Sequence, residues 1–275
     1  MGQPIEISNP ADPRLSDFRD LAHADRRPDR PRGQGLVIAE GVPVVQRLLA
    51  SPYPVRALLG VAQQIEALAA GLDDVQAPVY LASAEVMAQT VGFHLNRGVL
   101  ASADRLPARP VEEIIGAARL IALLEGVNDH ENLGSIFRNA AALGVDAVLL
   151  GPNCADPLYR RAVRVSMGHV LAVPFTELAS SPRFAAWPAA ISQTQAAGFA
   201  VLALTPRPDA GPLRDLDPRR YPRIAVLVGA EGPGLSDAAI TAADLQVRIP
   251  MRPGVDSLNV AAAAAIAFAH FAPQL

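Results

Sequence analysis

The stretch RIAVLVGAEGPGLS, Arg223–Ser236, carries the pattern that decides the fold. It begins as a continuous apolar run, passes through a loop that contains three glycines and Glu231, and ends at Ser236, which can cap a following helix. Continuous apolar strands are typical of parallel sheets that helices cover on both faces. Because glycine lets backbone amides approach a ligand, the loop predicts either a binding site or a plain strand-to-helix turn.

The same alternation of strand and helix extends on both sides of this stretch. It predicts strands at RLIALLE, DAVLL, HVLAVPF, GFAVLAL, RIAVLVG and LQVRIP. It predicts helices near Asn132–Leu143, Pro157–Ser166, Pro188–Ala197, Ser236–Ala243 and Leu258–Phe271. We therefore expect the C-terminal half, residues 119–275, to form an α/β domain around a parallel sheet.

A shorter alternating series precedes this half and predicts a small α/β domain at residues 36–104, in which Ser83 caps a helix. Prolines among charged residues favour a linker at 105–118. Residues 1–35 are predicted to form a polar arm, in which arginines are mixed with aspartates. This arm could be a solvated leader or could touch an anionic partner.

Composition restricts the class of protein. The 275 residues are 51% hydrophobic and 19% charged, which fits a globular chain with a sizeable core. The net charge of -3 gives no global basic field, and all 24 basic residues are arginine. Cys154 is the only cysteine, so an internal disulfide is excluded. No apolar run predicts a membrane span and the first residues do not predict a secretory signal, so we expect a cytoplasmic protein.

Three polar loops follow predicted strands, at the place where open α/β sheets bind ligands. They are Leu123–Gly144, Val226–Ser236 and the segment VRIPMRPGVDSLNV. Arg138 in the first could be a functional residue or a surface ion-pair partner, and Ser257 and Asn259 in the third could be helix caps or ligand contacts. A phosphate-binding loop, a strand-linked dinucleotide fingerprint and a nucleophile elbow are absent from the sequence. The histidines lack metal-site spacing, so no metal is expected.

In this order the three loops resemble the motifs of the SpoU, or TrmH-like, branch of the SPOUT RNA methyltransferases. The first motif is similar to NLGSIFRNAAALG and the second to VGAEGPGLS, which contains Gly229, Glu231, Gly232 and Gly234. The third is similar to IPMRPGVDSLNVAAAAAIAF. The resemblance spans about Arg119–Phe271. One departure is Ala261, because many members have a serine at this position.

The resemblance implies a fold. The C-terminal domain should be a SPOUT domain with a deep trefoil knot, into which the alanine-rich last helix is tucked. The stretches LVIAEGVPVVQRLL and VGFHLNRGVLAS are similar to an RNA substrate-binding domain related to ribosomal protein L30e. Members of the family form homodimers through the knotted domain, and we expect the same here.

The resemblance also implies an activity, the transfer of a methyl group from S-adenosylmethionine to a ribose 2'-hydroxyl of RNA. It assigns Arg138 to the activation of the hydroxyl and gives supporting catalytic roles to Asn132, Glu231, Ser257 and Asn259. The expected cofactor contacts are Leu204, Thr205, Gly229, Gly232, Ile249, Met251 and Leu258. Ribosomal RNA is the expected substrate. The alternatives are transfer RNA, a base as the methylated group, and a non-catalytic RNA-binding protein with this fold.

A further basic cluster lies in DPLYRRAVRVSMGH, where Arg160, Arg161 and Arg164 fall within about two helical turns. Such a cluster could be a solvated helix face. Given the resemblance, we predict that it faces RNA, because contacts to phosphates supply much of the affinity of RNA-binding proteins.

Overall fold

A computed structural model describes residues 3–21, 35–73, 75–180 and 186–272. The chain divides into two compact units. The first comprises Met1–Pro107 together with Asp156–Ala172, and the second comprises Ala108–Ala155 together with Val173–Leu275. The chain therefore leaves the second unit after Ala155, contributes residues 156–172 to the first unit, and returns to the second unit at Val173.

Strands and helices alternate along the described residues. The strands are β1 Ile5–Glu6, β2 Leu36–Glu40, β3 Val55–Gly60, β4 Val79–Leu81, β5 Val99–Asp104, β6 Leu120–Glu125, β7 Ala147–Leu150, β8 Phe175–Glu177, β9 Ala200–Leu204, β10 Gly211–Pro212, β11 Ile224–Gly229 and β12 Leu245–Arg248. The helices are α1 Val42–Leu49, α2 Ala62–Glu66, α3 Ala84–Val91, α4 Val111–Ile115, α5 His130–Ala142, α6 Arg160–Val165, α7 Ala189–Ala196, α8 Asp237–Ala242 and α9 Val260–Phe271. Short 3-10 helices lie at Pro13–Phe18, Ala69–Gly71, His169–Leu171, Leu178–Ser180, Leu213–Asp215 and Pro218–Arg220.

The first unit is built on a five-stranded mixed sheet with the order β1-β4-β3-β5-β2. β1, β4 and β3 run parallel, whereas β5 is antiparallel to both β3 and β2. Alternate strand residues, among them Ile38 and Leu100, are buried against Leu15 and Phe18. Ser83 caps α3 by accepting a hydrogen bond from the backbone N–H of Val86, as predicted.

The second unit is built on a seven-stranded sheet with the order β10-β12-β9-β11-β6-β7-β8, in which every pair of neighbours is parallel. One face packs on α4, α7 and α8, and the other carries α5 and α9. Strands covered on both faces must be apolar throughout, and β11 is buried along almost its whole length. The predicted α/β fold with a parallel sheet is confirmed. The knot and the likeness of the first unit to L30e stay predictions.

Four details of the predicted organisation were wrong. HVLAVPF is not one strand, because residues His169–Leu171 form a 3-10 helix and β8 begins only at Phe175. An apolar run of this length does not distinguish a strand from a short helix, and Gly168 at φ +83° turns the chain there. Residues 105–118 are more than a linker, since α4 buries Val111 and Ile115 in the core of the second unit.

The other two differences concern the first unit. The described part of the predicted polar arm is anchored, because Leu15, Phe18 and Leu21 are buried in the core of this unit. Most of the arm's arginine-rich part, residues 22–34, lies outside the described residues. Residues Asp156–Ala172, predicted to belong to the C-terminal domain, group with the first unit, where α6 packs on β2. Throughout the described chain, each helix is too short or too polar to cross a membrane.

Candidate active site

A cavity of about 490 Å³ opens where β9, β11 and β12 end in the second unit. These strands are neighbours in the order β12-β9-β11 and run parallel, so their carboxyl ends lie at the same edge of the sheet. The cavity lining includes every residue predicted to contact the cofactor, namely Leu204, Thr205, Gly229, Gly232, Ile249, Met251 and Leu258. The sheet edge therefore gathers residues that lie far apart in the sequence.

The glycine-rich loop after β11 has a shape that requires glycine at defined positions. A Cβ atom built on Gly229 would lie 2.3 Å from the carbonyl carbon of Gly234, so only glycine fits there. Gly232 and Gly234 have φ values of +86° and +72°, which L side chains rarely adopt. The loop turns back on itself, and the N–H of Gly234 donates to the carbonyl of Ala230 at 3.0 Å. The glycines therefore allow the turn to form, and they leave the backbone at the cavity uncovered by side chains.

Asn259 connects three parts of the site. Its Nδ2 donates to Oδ1 of Asn132 and to Oε1 of Glu231, each at 2.7 Å. Its Oδ1 accepts from the backbone N–H groups of Ala261 and Ala262 at 3.0 and 3.2 Å, which caps α9. Because both N–H groups and the oxygen are engaged, the orientation of this amide is fixed.

Two further features support this arrangement. Ser257 is exposed and lines the same cavity, two residues before Asn259. Asn139 Nδ2 donates to the carbonyl oxygen of Ala261 at 3.0 Å and thereby ties α5 to the start of α9. Position 261, where many relatives of the resembled family have serine, is thus a buried alanine held through its backbone. Asn139 was not singled out from the sequence, although it lies seven positions from Asn132 and so on the same helix face.

Arg138 does not join this cluster. It is exposed on α5, does not line the cavity, and makes no hydrogen bond or ion pair with the described residues. Six positions separate it from Asn132, so the two side chains leave the helix in directions about 120° apart. The structure therefore brings together Asn132, Glu231, Ser257 and Asn259, and leaves Arg138 at the surface.

The three arginines of α6 have different environments in the first unit. Nη1 of Arg160 lies 2.8 Å from Oε2 of Glu40, and its guanidinium stands 4.7 Å from the centre of the Phe93 ring. Nη1 of Arg164 lies 3.7 Å from the same Glu40 oxygen. Arg161 is exposed. The predicted RNA-facing cluster is thus not a row of three outward cations, because two of them neutralise a buried carboxylate.

The described residues give little support for a nucleophilic thiol or a metal site. Burial raises the pKa of the Cys154 thiol to about 11, so the thiolate that a nucleophile needs is scarce at neutral pH. Within residues 3–21, 35–73, 75–180 and 186–272, no three histidine, cysteine, aspartate or glutamate side chains are gathered in a way that could hold a metal ion.

Known proteins resemble this chain over half or more of its length. It is 57% identical over 264 residues to an uncharacterized tRNA/rRNA methyltransferase of Mycobacterium tuberculosis, over 96% of this chain and 90% of the relative. It is 31% identical to the 23S rRNA (guanosine(2553)-2'-O)-methyltransferase RlmP of Bacillus subtilis, over 58% of this chain and 60% of that protein.

Solved structures agree. The AdoMet-bound rRNA methyltransferase from Sinorhizobium meliloti has a TM-score of 0.78 and 25% identity, over 98% of this chain and 97% of that chain. A structure described as an RNA 2'-O ribose methyltransferase has a TM-score of 0.76 and 26% identity, over 97% of both chains. The profile of the SpoU rRNA Methylase family matches residues 119–269, which contain all three polar loops. The chain therefore belongs to the SpoU rRNA methylase family of tRNA/rRNA methyltransferases.

Proposed function

We propose that this protein transfers a methyl group from S-adenosylmethionine to a ribose 2'-hydroxyl of ribosomal RNA. The observation that carries the proposal is the hydrogen-bonded group Asn132–Asn259–Glu231, which stands beside a cavity bordered by a glycine-rich loop. The activity of the Bacillus subtilis relative supports the 2'-hydroxyl and ribosomal RNA.

The cavity fits the proposed methyl donor. Its volume of about 490 Å³ is within the range of small-molecule sites. Leu204, Ile249, Met251 and Leu258 give apolar contacts, and open space around Gly232 and Gly234 leaves backbone groups accessible. When bound, S-adenosylmethionine supplies an electrophilic methyl group on a sulfonium sulfur.

The protein's own part is to place the ribose hydroxyl and to assist the loss of its proton. Fixed positioning of two reacting groups can contribute several kcal/mol to catalysis. Asn259 holds the Glu231 carboxylate and the Asn132 amide in one arrangement, in which Glu231 and Asn259 line the cavity. Ser257 is placed on the same edge to contact the RNA or the loop.

Arg138 is proposed to orient the ribose-phosphate and to stabilise the developing alkoxide. Arginine is a poor base because its guanidinium stays protonated in proteins, so a phosphate of the RNA is the better proton acceptor. The exposed guanidinium has no ion-pair partner among the described residues and is available for such a contact. Its place outside the cavity lining favours a homodimer, in which Arg138 would serve the site of the partner subunit.

The proposal is tested in two steps. Calorimetry should first detect saturable binding of S-adenosylmethionine, and its absence would favour a non-catalytic RNA-binding protein. Ribosomal and transfer RNA are then incubated with radiolabelled S-adenosylmethionine, digested to nucleosides and analysed by mass spectrometry. We expect label in a 2'-O-methylated nucleoside from ribosomal RNA. Label in transfer RNA alone would contradict ribosomal RNA as the substrate. Label on a base would contradict the ribose 2'-hydroxyl as the methylated group.

A further inference from the structure

Glu125 stands at both ends of the glycine-rich loop. It is the last residue of β6, and its register partner in the neighbouring β11 is Gly229, where the loop begins. At the other end of the loop, Ser236 donates twice to this carboxylate, from its backbone N–H to Oε2 at 2.9 Å and from its Oγ to Oε1 at 2.8 Å. The Glu125 side chain thus holds Ser236, where the loop ends, close to Gly229, where the loop begins.

The tip of the loop between these points makes few packing contacts, whereas Leu235 near its exit is buried in the core of the second unit. Nothing lies within 4 Å of a Cβ built on Gly232 or on Gly234, and Glu231 and Gly232 are exposed. Segments with few packing contacts have low local stability, so their position depends on how their ends are held. The place of Glu231 against Asn259 therefore depends on how the two ends of the loop are held, and Ser236 next to the buried Leu235 is one of the anchors.

Trp187 completes the contact. Its Nε1 donates to Oε1 of Glu125 at 2.6 Å, and its ring lies so close to Gly151 that a Cβ there would be 3.2 Å from Cζ3. Three N–H or O–H groups thus converge on one carboxylate, and charge-assisted hydrogen bonds are roughly twice as strong as neutral ones. Trp187 is also the single tryptophan of the chain, so the tryptophan emission of the protein reports on the surroundings of this side chain.

We infer that Glu125 is a positioning residue of the methyl-donor site, which holds the glycine-rich loop in its cavity-forming shape. The inference rests on the proposed function in taking this cavity as the site of S-adenosylmethionine. This positioning role requires a carboxylate at position 125, because both oxygens accept hydrogen bonds. A glutamine offers only one accepting oxygen, so in either orientation its NH₂ group faces the N–H of Ser236 or that of Trp187.

The test compares full-length wild type, Glu125→Gln, Ser236→Ala and the surface control Glu113→Gln, whose carboxylate pairs only with exposed Arg109 among the described residues. Calorimetry measures Kd for S-adenosylmethionine, circular dichroism checks folding, and Trp187 emission checks that the contact is broken. We expect Glu125→Gln to raise Kd on the order of tenfold and Ser236→Ala about threefold, because charge-assisted bonds are lost. Glu113→Gln should match wild type, and the affinity for RNA should not change in any variant.

The outcomes separate the two proposals. If wild type does not bind S-adenosylmethionine, the proposed function fails. If wild type binds and folded Glu125→Gln has altered Trp187 emission but a Kd within twofold of wild type, the positioning role is overturned. If Glu125→Gln does not fold, the test uses Ser236→Ala, which removes one donor and retains the carboxylate. A Kd of Ser236→Ala within twofold of wild type would then overturn the positioning role.

Discussion

The side-chain amide of Asn259 donates a hydrogen bond to Oε1 of Glu231 over 2.7 Å, although 28 positions separate the two residues in the chain. The same nitrogen reaches Asn132, which lies 127 positions away. The loops that resemble family motifs thus meet through one amide, and this amide also begins the last helix.

Replacing Asn259 by aspartate should separate its two roles. The Asn259→Asp change retains an oxygen that can cap α9, but it places a carboxylate where an N–H group now faces Glu231 and Asn132. We expect methyl transfer to fall by about 100-fold, because small misplacements in an active site have effects of that order. The free energy of unfolding should change by less than about 1 kcal/mol. Single-turnover kinetics and urea unfolding measure the two quantities, and a variant of near wild-type activity would contradict the proposed role.

Gly229→Ala should disrupt the cavity without a change in polarity. The added Cβ would meet backbone atoms of Gly234 and Leu235 at 2.3 and 2.4 Å, so the loop must move. We expect the affinity for S-adenosylmethionine to fall at least on the order of tenfold, because the cavity lining is displaced. The matched control is Gly211→Ala, whose Cβ would have its nearest neighbour at an ordinary 3.9 Å. Equal affinities in the two variants, measured by calorimetry, would show that the shape of the loop is unimportant.

The arginines of α6 should differ in their effects. Among the described residues, Arg160→Ala leaves the buried Glu40 carboxylate with the more distant Arg164, and we expect about 2–4 kcal/mol of destabilisation in thermal unfolding. Arg161→Ala should weaken binding to ribosomal RNA, with a salt dependence reduced by nearly one phosphate contact, because Arg161 is exposed. RNA affinity of Arg161→Ala that equals wild type at every salt concentration would remove α6 from the proposed RNA surface.

The proposed homodimer can be tested on α9. Its exposed face carries Ala262, Ile266 and Ala269, and Ile266 is 43% exposed. An apolar helix face of this kind is typical of an interface. Ile266→Arg should convert a dimer to a monomer in light scattering at micromolar concentration. The control is Leu106→Arg, because Leu106 is 40% exposed and lies in the first unit. A monomeric wild type would rule out this proposal.

Local patterns were sufficient to predict most of the second unit. Its strands are apolar runs bounded by polar turns, and Ser236 caps α8 through its own side chain, as the sequence indicated. The short strand β10 was not predicted, because Gly211–Pro212 has no strand pattern in the sequence. It forms a strand only through its pairing with β12. The cavity lining was predicted through the family resemblance, since spacing alone does not bring Leu204 and Leu258 together.

Sequence patterns were insufficient where distant residues decide the environment of a side chain. Arg160, Arg161 and Arg164 form a basic cluster in sequence, yet the pairing of Arg160 with Glu40 crosses 120 positions. No local pattern reveals that partner. Likewise Glu125 is an ordinary strand-ending carboxylate in the sequence, and only the fold brings Ser236 and Trp187 to it.

The excursion of Asp156–Ala172 into the first unit determines how the protein can be divided. A truncation that begins at residue 108 would keep this strip but remove the sheet on which α6 packs, so the apolar side chains of Leu158, Val163 and Val170 would face water. Such a fragment should aggregate, whereas a fragment ending at residue 107 would lack part of its own core. Dissection of the activity therefore calls for point substitutions in the intact chain.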